Sequence, residues 1–137
     1  SNGLIYLSYE KDVYKIGELC VDFHIYSKFG KIYAVNKTFS VNTGNWNSAS
    51  SWSPSGVPTA ADDVMVPTSK RVTINTNAVC KSMTINGTVT NSSFNLTVNG
   101  NFINNGTFNS GSGRVIFKGS QNAQISGTAS VTNFGGG

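Results

Sequence analysis

From residue 63 onward the chain is a series of short apolar runs separated by turn-forming residues. Within each run apolar and polar residues alternate, and Asn-Gly, Gly-Ser or Asn-Asn pairs separate one run from the next. The runs are residues 64–66, 72–74, 83–85, 96–98, 102–103, 107–108, 115–117, 124–125 and 130–131. A period of two predicts β-strands, and no window shows the 3.6-residue period of a helix. The predicted fold class is therefore all-β.

Two all-β arrangements compete for these runs. An Asn-Gly pair between two strands is the strongest short hairpin signal, which predicts an antiparallel β-sandwich. Alternatively, each run is one side of a coil, and the coils stack into a parallel β-solenoid. The runs are too short for sandwich strands, and the intervening Asn, Thr and Ser residues can stack in ladders between coils. We therefore predict a β-solenoid and keep the antiparallel β-sandwich as the alternative.

The character of the chain changes twice along its length. Residues 1–41 hold most of the tyrosines and read as a short β-meander, which we interpret as the end of a preceding domain or a cap. Residues 42–63 are rich in Trp, Pro and turn residues and read as a connector and cap. Residues 64–137 form the predicted solenoid. Because the chain lacks an initiator Met and ends in glycines, we expect the solenoid segment to be truncated.

Aromatic residues near the connector have two interpretations. Trp46 and Trp52 lie six residues apart in an otherwise polar stretch. They are either a plug that closes the open end of the hydrophobic core or, with Tyr33, a platform on which sugar rings stack. Because a tryptophan is mostly buried on average, we favour the plug.

The order of motifs resembles a family of secreted proteins. Trp46 is followed by Ser-Trp-Ser-Pro at 51–54, Gly-Val-Pro at 56–58 and an acidic pair at 62–63, and similar repeats continue to residue 119. This pattern resembles adhesin-like β-solenoid repeat proteins of the secreted and cell-surface type found in Bacteroidetes-type bacteria. The resemblance covers about two-thirds of the chain. It implies a right-handed parallel β-helix beginning near residue 42, within a large multidomain protein of the bacterial outer surface.

The sequence offers little material for catalysis or metal binding. All six acids precede residue 64, and Asp62 and Asp63 are adjacent, so on a strand they would face opposite ways. Glycoside hydrolysis needs two opposed carboxylates and calcium needs several oxygen ligands, so neither is expected beyond Asp63. His24 is the single histidine, and no Cys-x-x-Cys motif suggests zinc. We predict no catalytic residues, no metal, no cofactor and no enzymatic activity.

Charge, hydropathy and cysteine content limit the partners. The net charge is +4, but the cations are scattered rather than clustered, so we do not expect nucleic-acid binding. No segment approaches the ~18 apolar residues of a membrane span. Cys20 and Cys80 form either one disulfide or two buried thiols, and the sequence leaves both possibilities open.

The predicted function is that of a non-catalytic structural or adhesive segment of a large secreted or cell-surface bacterial protein. Its partners would be other domains of the same polypeptide or a surface or secretion partner protein, with glycans as a further candidate. Two alternatives remain. One is a carbohydrate-binding module that uses Trp46 and Trp52, and the other is an ancillary part of a polysaccharide-degrading enzyme.

Overall fold

The structure, a computed structural model, describes residues 35–120, 122–129 and 131–135. These residues form short strands and a 3-10 turn at Ala49–Ser51. The strands are β1 (Asn36–Phe39), β2 (Thr43–Asn45), β3 (Trp52–Ser53), β4 (Asp63–Val66), β5 (Arg71–Ile74), β6 (Ala78–Cys80), β7 (Met83–Ile85), β8 (Thr88–Asn91), β9 (Asn95–Val98), β10 (Phe102–Asn104), β11 (Thr107–Asn109), β12 (Arg114–Phe117), β13 (Ile125–Ser126) and β14 (Val131–Asn133).

The strands belong to three sheets. The first sheet has the order β13-β10-β7-β4-β1-β3, the second β14-β11-β8-β5-β2 and the third β12-β9-β6. Each strand from β4 to β9 pairs in parallel with the strand one coil later. The strand triplets β4–β6, β7–β9 and β10–β12 are therefore complete coils, and incomplete coils lie before and after them. This confirms the predicted β-solenoid, and the alternative antiparallel β-sandwich is wrong.

The core is built from columns of apolar side chains that repeat from coil to coil. Val64 pairs with Met83, and Met83 pairs with Phe102, a spacing of 19 residues, which also separates Asn86 from Asn105 in the corners. Val64, Met83 and Phe102 are almost fully buried, whereas the residue that follows each of them on its strand points outward. Burying such a side chain stabilises the fold by roughly 1.5–3 kcal/mol. The alternation seen in the sequence is thus the inside and outside of one coil.

The Asn-Gly pairs form the corners of the solenoid. Gly87 and Gly106 follow β7 and β10 and stack one above the other. A Cβ at Gly106 would overlap the carbonyl oxygen of Gly87, and a Cβ at Gly87 would overlap that of Pro67. Glycine is required here because successive backbones approach closely, and not because a hairpin reverses the chain.

Asparagine amides stack along the corners and strand faces. The predicted ladders are confirmed by side-chain hydrogen bonds between neighbouring coils. The pairs, with the Nδ2 donor first, are Asn75 with Asn47 (2.8 Å), Asn105 with Asn86 (3.0 Å) and Asn133 with Asn109 (3.2 Å). These bonds satisfy polar groups without charge, which explains how a stack with so few ionic residues holds its register.

β1 is the first strand of the described residues, and it already belongs to the stack. β1 pairs in parallel with β4, and the antiparallel strand β3 covers the outer edge of β1 through the pairs Thr38–Ser53 and Phe39–Trp52. The predicted meander falls mainly on residues 1–34, which lie outside the described residues. The assignment of 1–41 to a preceding domain or cap therefore stays a prediction.

Candidate functional site

Trp46 and Trp52 lie in the hydrophobic core. Trp46 is fully buried and Trp52 is 2% exposed. The Trp52 ring contacts Phe39 and Trp46 edge-on, with ring centroids 5.0 and 5.1 Å apart, and its Nε1 donates a 2.8 Å hydrogen bond to the Trp46 carbonyl oxygen. Neither ring has a face that a sugar could reach. Tyr33, the third residue of the alternative platform, lies outside the described residues.

The acidic pair serves the turn before β4. Asp62 is fully buried, and its Oδ2 accepts hydrogen bonds from the backbone N–H (2.8 Å) and the hydroxyl (3.0 Å) of Thr59. Asp63 begins β4, where its backbone N–H donates to the carbonyl oxygen of Val35. Within the described residues, no group of three His, Cys, Asp or Glu side chains lies close enough to hold a metal ion.

Cys80 is a free thiol on an inward position of β6. Its side chain is fully buried, and burial raises the pKa of the thiol, with a further increase from the nearby Asp63 and Asp62 carboxylates. A thiol whose pKa is raised this way stays protonated and unreactive at neutral pH. Cys20 lies outside the described residues, so the choice between a Cys20–Cys80 disulfide and two buried thiols stays untested.

The corner between the third and first sheets contains a cleft. Three turns connect the two sheets at this corner. Two of them are short, at residues 81–82 and 99–101, whereas the turn after β12 is longer and includes residues 118–120 and 122–124. Ser82 and Asn101 occupy equivalent positions 19 residues apart, but the next equivalent position, Gln124, lies 23 residues after Asn101. The described residues of the longer turn and those of the shorter turns line a groove, which we name the corner cleft.

The corner cleft has a polar part and an apolar part. Its polar part is lined by Lys81, Ser82, Asn99, Gly100, Asn101, Ser120, Asn122 and Ala123. Its apolar part shares Gly100, Ser120 and Ala123 and adds Phe117, Gly119, Gln124 and Ile125. Lys81 is the charged residue of this lining.

Backbone-directed hydrogen bonds hold the polar part in place. The Asn101 backbone N–H donates to Ser82 Oγ (3.0 Å), and Asn101 Oδ1 accepts from the Gln124 backbone N–H (2.8 Å). Asn99 Nδ2 donates to the Cys80 carbonyl oxygen (3.3 Å). Within the described part of the chain, this leaves Asn101 Nδ2 and Asn99 Oδ1 available to a ligand.

Phe117 forms the aromatic wall of the cleft. Its ring is 38% exposed and contacts Phe102 and Phe134 edge-on, at centroid distances of 5.7 and 5.6 Å. Phe134 in turn lies 5.8 Å from Phe108. This phenylalanine cluster covers the last complete coil much as the tryptophans cover the first. Unlike the tryptophans, Phe117 presents part of its ring to solvent.

These observations define a parallel β-solenoid with Asn-Gly pairs at its corners and a polar cleft at one of them. Comparison with protein-family profiles matches residues 51–135 to the G8 domain, and the chain belongs to the G8 domain family. The G8 domain is a family of extracellular domains. Comparisons with curated proteins and with solved structures found no match. Among the described residues, no helix has the length and hydropathy needed to cross a membrane.

The structure and the family match support one part of the earlier resemblance. The β-solenoid that the resemblance implied is confirmed, while a Bacteroidetes origin and an adhesin-like nature stay predictions. The sequence analysis missed Asn99, Asn101 and Phe117 as members of a surface cleft. The signal that could have revealed them is the change in repeat length between Asn101 and Gln124, since insertions in repeat proteins collect in loops that often form the binding face.

Proposed function

We propose that this chain is a non-catalytic structural segment of a secreted or cell-surface protein, in which stacked coils act as a stiff spacer between other domains of the same polypeptide. The observation that carries the proposal is the continuous parallel register of the complete coils through three sheets. Stacked repeats gain stability mainly from their neighbours, which gives a rod that keeps its shape along the axis. An extracellular family is consistent with that role.

The chemistry of the described residues supports a non-catalytic role. Asp62 is buried and already bonded to Thr59, which leaves Asp63 as the accessible carboxylate of this part of the chain. Acid–base hydrolysis of a glycosidic bond needs two carboxylates across the bond, and a single one cannot serve both roles. An ancillary role beside a polysaccharide-degrading domain would be compatible with the same arrangement, and an adhesive role would need a ligand site on the coil surface.

The non-catalytic part is tested with the purified chain and a panel of plant, algal and bacterial polysaccharides. We expect no release of reducing ends or unsaturated products above that of the Asp63→Asn variant. Turnover that disappears in Asp63→Asn, while the thermal unfolding temperature is unchanged, would contradict the proposal.

The extracellular part is tested in cells of the source organism. Protease treatment of intact cells should remove an epitope tag placed in the full-length protein beside this segment, while a cytoplasmic marker enzyme survives. A tag that is protected in intact cells and also absent from the medium would contradict an extracellular location.

Deleting residues 36–135 in frame should shorten the full-length particle seen by electron microscopy without abolishing its secretion.

A further inference from the structure

We propose that the corner cleft binds a neutral saccharide, with Asn101, Asn99 and Lys81 as hydrogen-bonding groups and Phe117 as the apolar wall. A spacer needs no ligand, so this inference goes beyond the proposed function and does not depend on it. It also relocates the binding role from the buried Trp46 and Trp52 to a surface that the structure leaves open.

The position of the cleft is the first argument. At the first sheet the repeats from Val64 to Met83 and from Met83 to Phe102 are each 19 residues long, whereas the next repeat, from Phe102 to Ile125, is 23 residues long. The added residues fall in the turn that lines the cleft. Stacking does not require the added residues, because the shorter turns at 81–82 and 99–101 connect the same two sheets. In repeat proteins such insertions commonly form the binding face.

The hydrogen-bonding capacity of the cleft is the second argument. Asn101 is held by the bond from the Gln124 N–H to its Oδ1, so its Nδ2 is fixed in orientation and has both protons to donate. Asn99 is held the opposite way, by its Nδ2, and offers Oδ1 as an acceptor. A pre-oriented donor and a pre-oriented acceptor in the lining of one groove suit sugar hydroxyl groups, which donate and accept. Fixing these amides in the free protein lowers the entropic cost of binding.

Charge selects the class of saccharide. Lys81 is the charged residue of the lining, and it is exposed to water, where a single ion pair contributes little to binding. Lys81 therefore acts mainly as a third hydrogen-bond donor. An uncharged sugar matches a cleft of amides and hydroxyls better than a polyanion, which would need several cations along its length.

Phe117 supplies the apolar contact. Its ring is 38% exposed in the apolar part of the cleft, which shares Gly100, Ser120 and Ala123 with the polar part. The ring contacts to Phe102 and Phe134 limit its movement. Aromatic side chains that combine a large surface with few rotatable bonds are effective contacts for amphipathic ligands. One face of a pyranose ring carries C–H groups that can pack on such a surface, while its hydroxyl groups reach the amides.

The test is a titration of the ¹⁵N-labelled full chain, followed by ¹H–¹⁵N correlation spectra. The probes are neutral oligosaccharides of β-1,4-linked glucose, xylose and mannose and of α-1,4-linked glucose, with a polyuronic oligosaccharide as the anionic comparison. We expect saturable shifts with at least one neutral probe, concentrated at the corner cleft, with a dissociation constant of roughly 1 mM as befits a shallow site.

Matched variants assign the contacts. Asn101→Asp keeps the oxygen that accepts from Gln124 but loses the donor, and we expect its dissociation constant to rise roughly 5- to 10-fold. The control is Asn77→Asp, because Asn77 Oδ1 accepts from the Asn95 N–H (3.0 Å) in the same kind of corner outside the cleft. Asn77→Asp should bind like the unmodified chain.

A second pair of variants covers the possibility that Asn101→Asp misfolds. Lys81→Gln should weaken binding roughly 3-fold, whereas Arg114→Gln, which removes an exposed cation outside the cleft lining, should not change it. The proposal is overturned if no neutral probe gives saturable shifts or if the shifts map to another face. It is also overturned if only the polyuronic probe binds and about 0.5 M salt abolishes that binding.

Discussion

Replacing Trp52 separates a structural tryptophan from a ligand platform and gives an energy that the contacts predict. The side chain is 2% exposed, and its Nε1 donates to the Trp46 carbonyl oxygen at 2.8 Å. Truncating a buried tryptophan to alanine costs about 3–5 kcal/mol. Trp52→Phe keeps an aromatic ring but leaves the buried carbonyl without its donor, which costs about 1–3 kcal/mol. We therefore expect the order of stability to be unmodified chain, Trp52→Phe, Trp52→Ala.

The measurement is urea unfolding followed by far-ultraviolet circular dichroism, because the fluorescence of the variants itself changes. With a urea dependence of about 2 kcal/mol per molar, the midpoint of Trp52→Ala should fall by about 2 M and that of Trp52→Phe by about 1 M. Met65→Ala is the control, since Met65 is 37% exposed on the outer face of β4 and should change stability by less than about 0.5 kcal/mol. A Trp52→Ala protein with an unchanged midpoint would refute the plug, and loss of saccharide binding in that protein would restore the platform.

Further predictions concern Gly106, Cys80 and the exposed edge strand β13. Gly106→Ala should lower the unfolding temperature measured by calorimetry, because its Cβ overlaps the Gly87 carbonyl oxygen, and a temperature unchanged from the unmodified chain would contradict the close stacking of the corners. Cys80 should not react with a thiol reagent until the chain unfolds. Because its pKa is raised in the fold, stability should fall above pH 9.0, the ordinary pKa at which the unfolded thiol ionises, and Cys80→Ala should remove that part of the slope. The purified chain should self-associate with rising concentration in sedimentation experiments, and Ile125→Lys should reduce this, because Ile125 is 57% exposed on the edge strand β13; equal association of both proteins would reject that edge.

The solenoid could be predicted because the apolar runs are too short to be the strands of a β-sandwich. Positions such as Val72 and Ile74 alternate with polar residues and become the inside of one coil, as expected. The Asn-Gly pairs were ambiguous from sequence alone, because the same dipeptide suits a hairpin turn and a close-packed corner. The parallel pairing of β7 with β10 and the contact of Gly106 with the coil below it distinguish the two.

The corner cleft could not be predicted from residue types. Asn99 and Asn101 look like any other asparagines in an Asn-rich chain. Their roles depend on which side-chain amide atom is hydrogen-bonded to the neighbouring coil. Phe117 belongs to an apolar run and was expected to be inside. Its ring is 38% exposed because β12 is the last strand of the third sheet in the described residues, so no further strand covers the column that Val98 and Phe117 form.

The two aromatic clusters make the stability of the solenoid uneven along its axis. The cluster of Phe39, Trp46 and Trp52 is almost completely buried, whereas Phe117 and Phe134 are more than a third exposed. In a nearest-neighbour stack, opening begins at the weaker end and advances coil by coil. Hydrogen exchange should therefore be fastest in β13 and β14 and slowest in β4 and β7. The corner cleft, between the last complete coil and β13, lies at this opening front, where a bound ligand would hold the last coil closed.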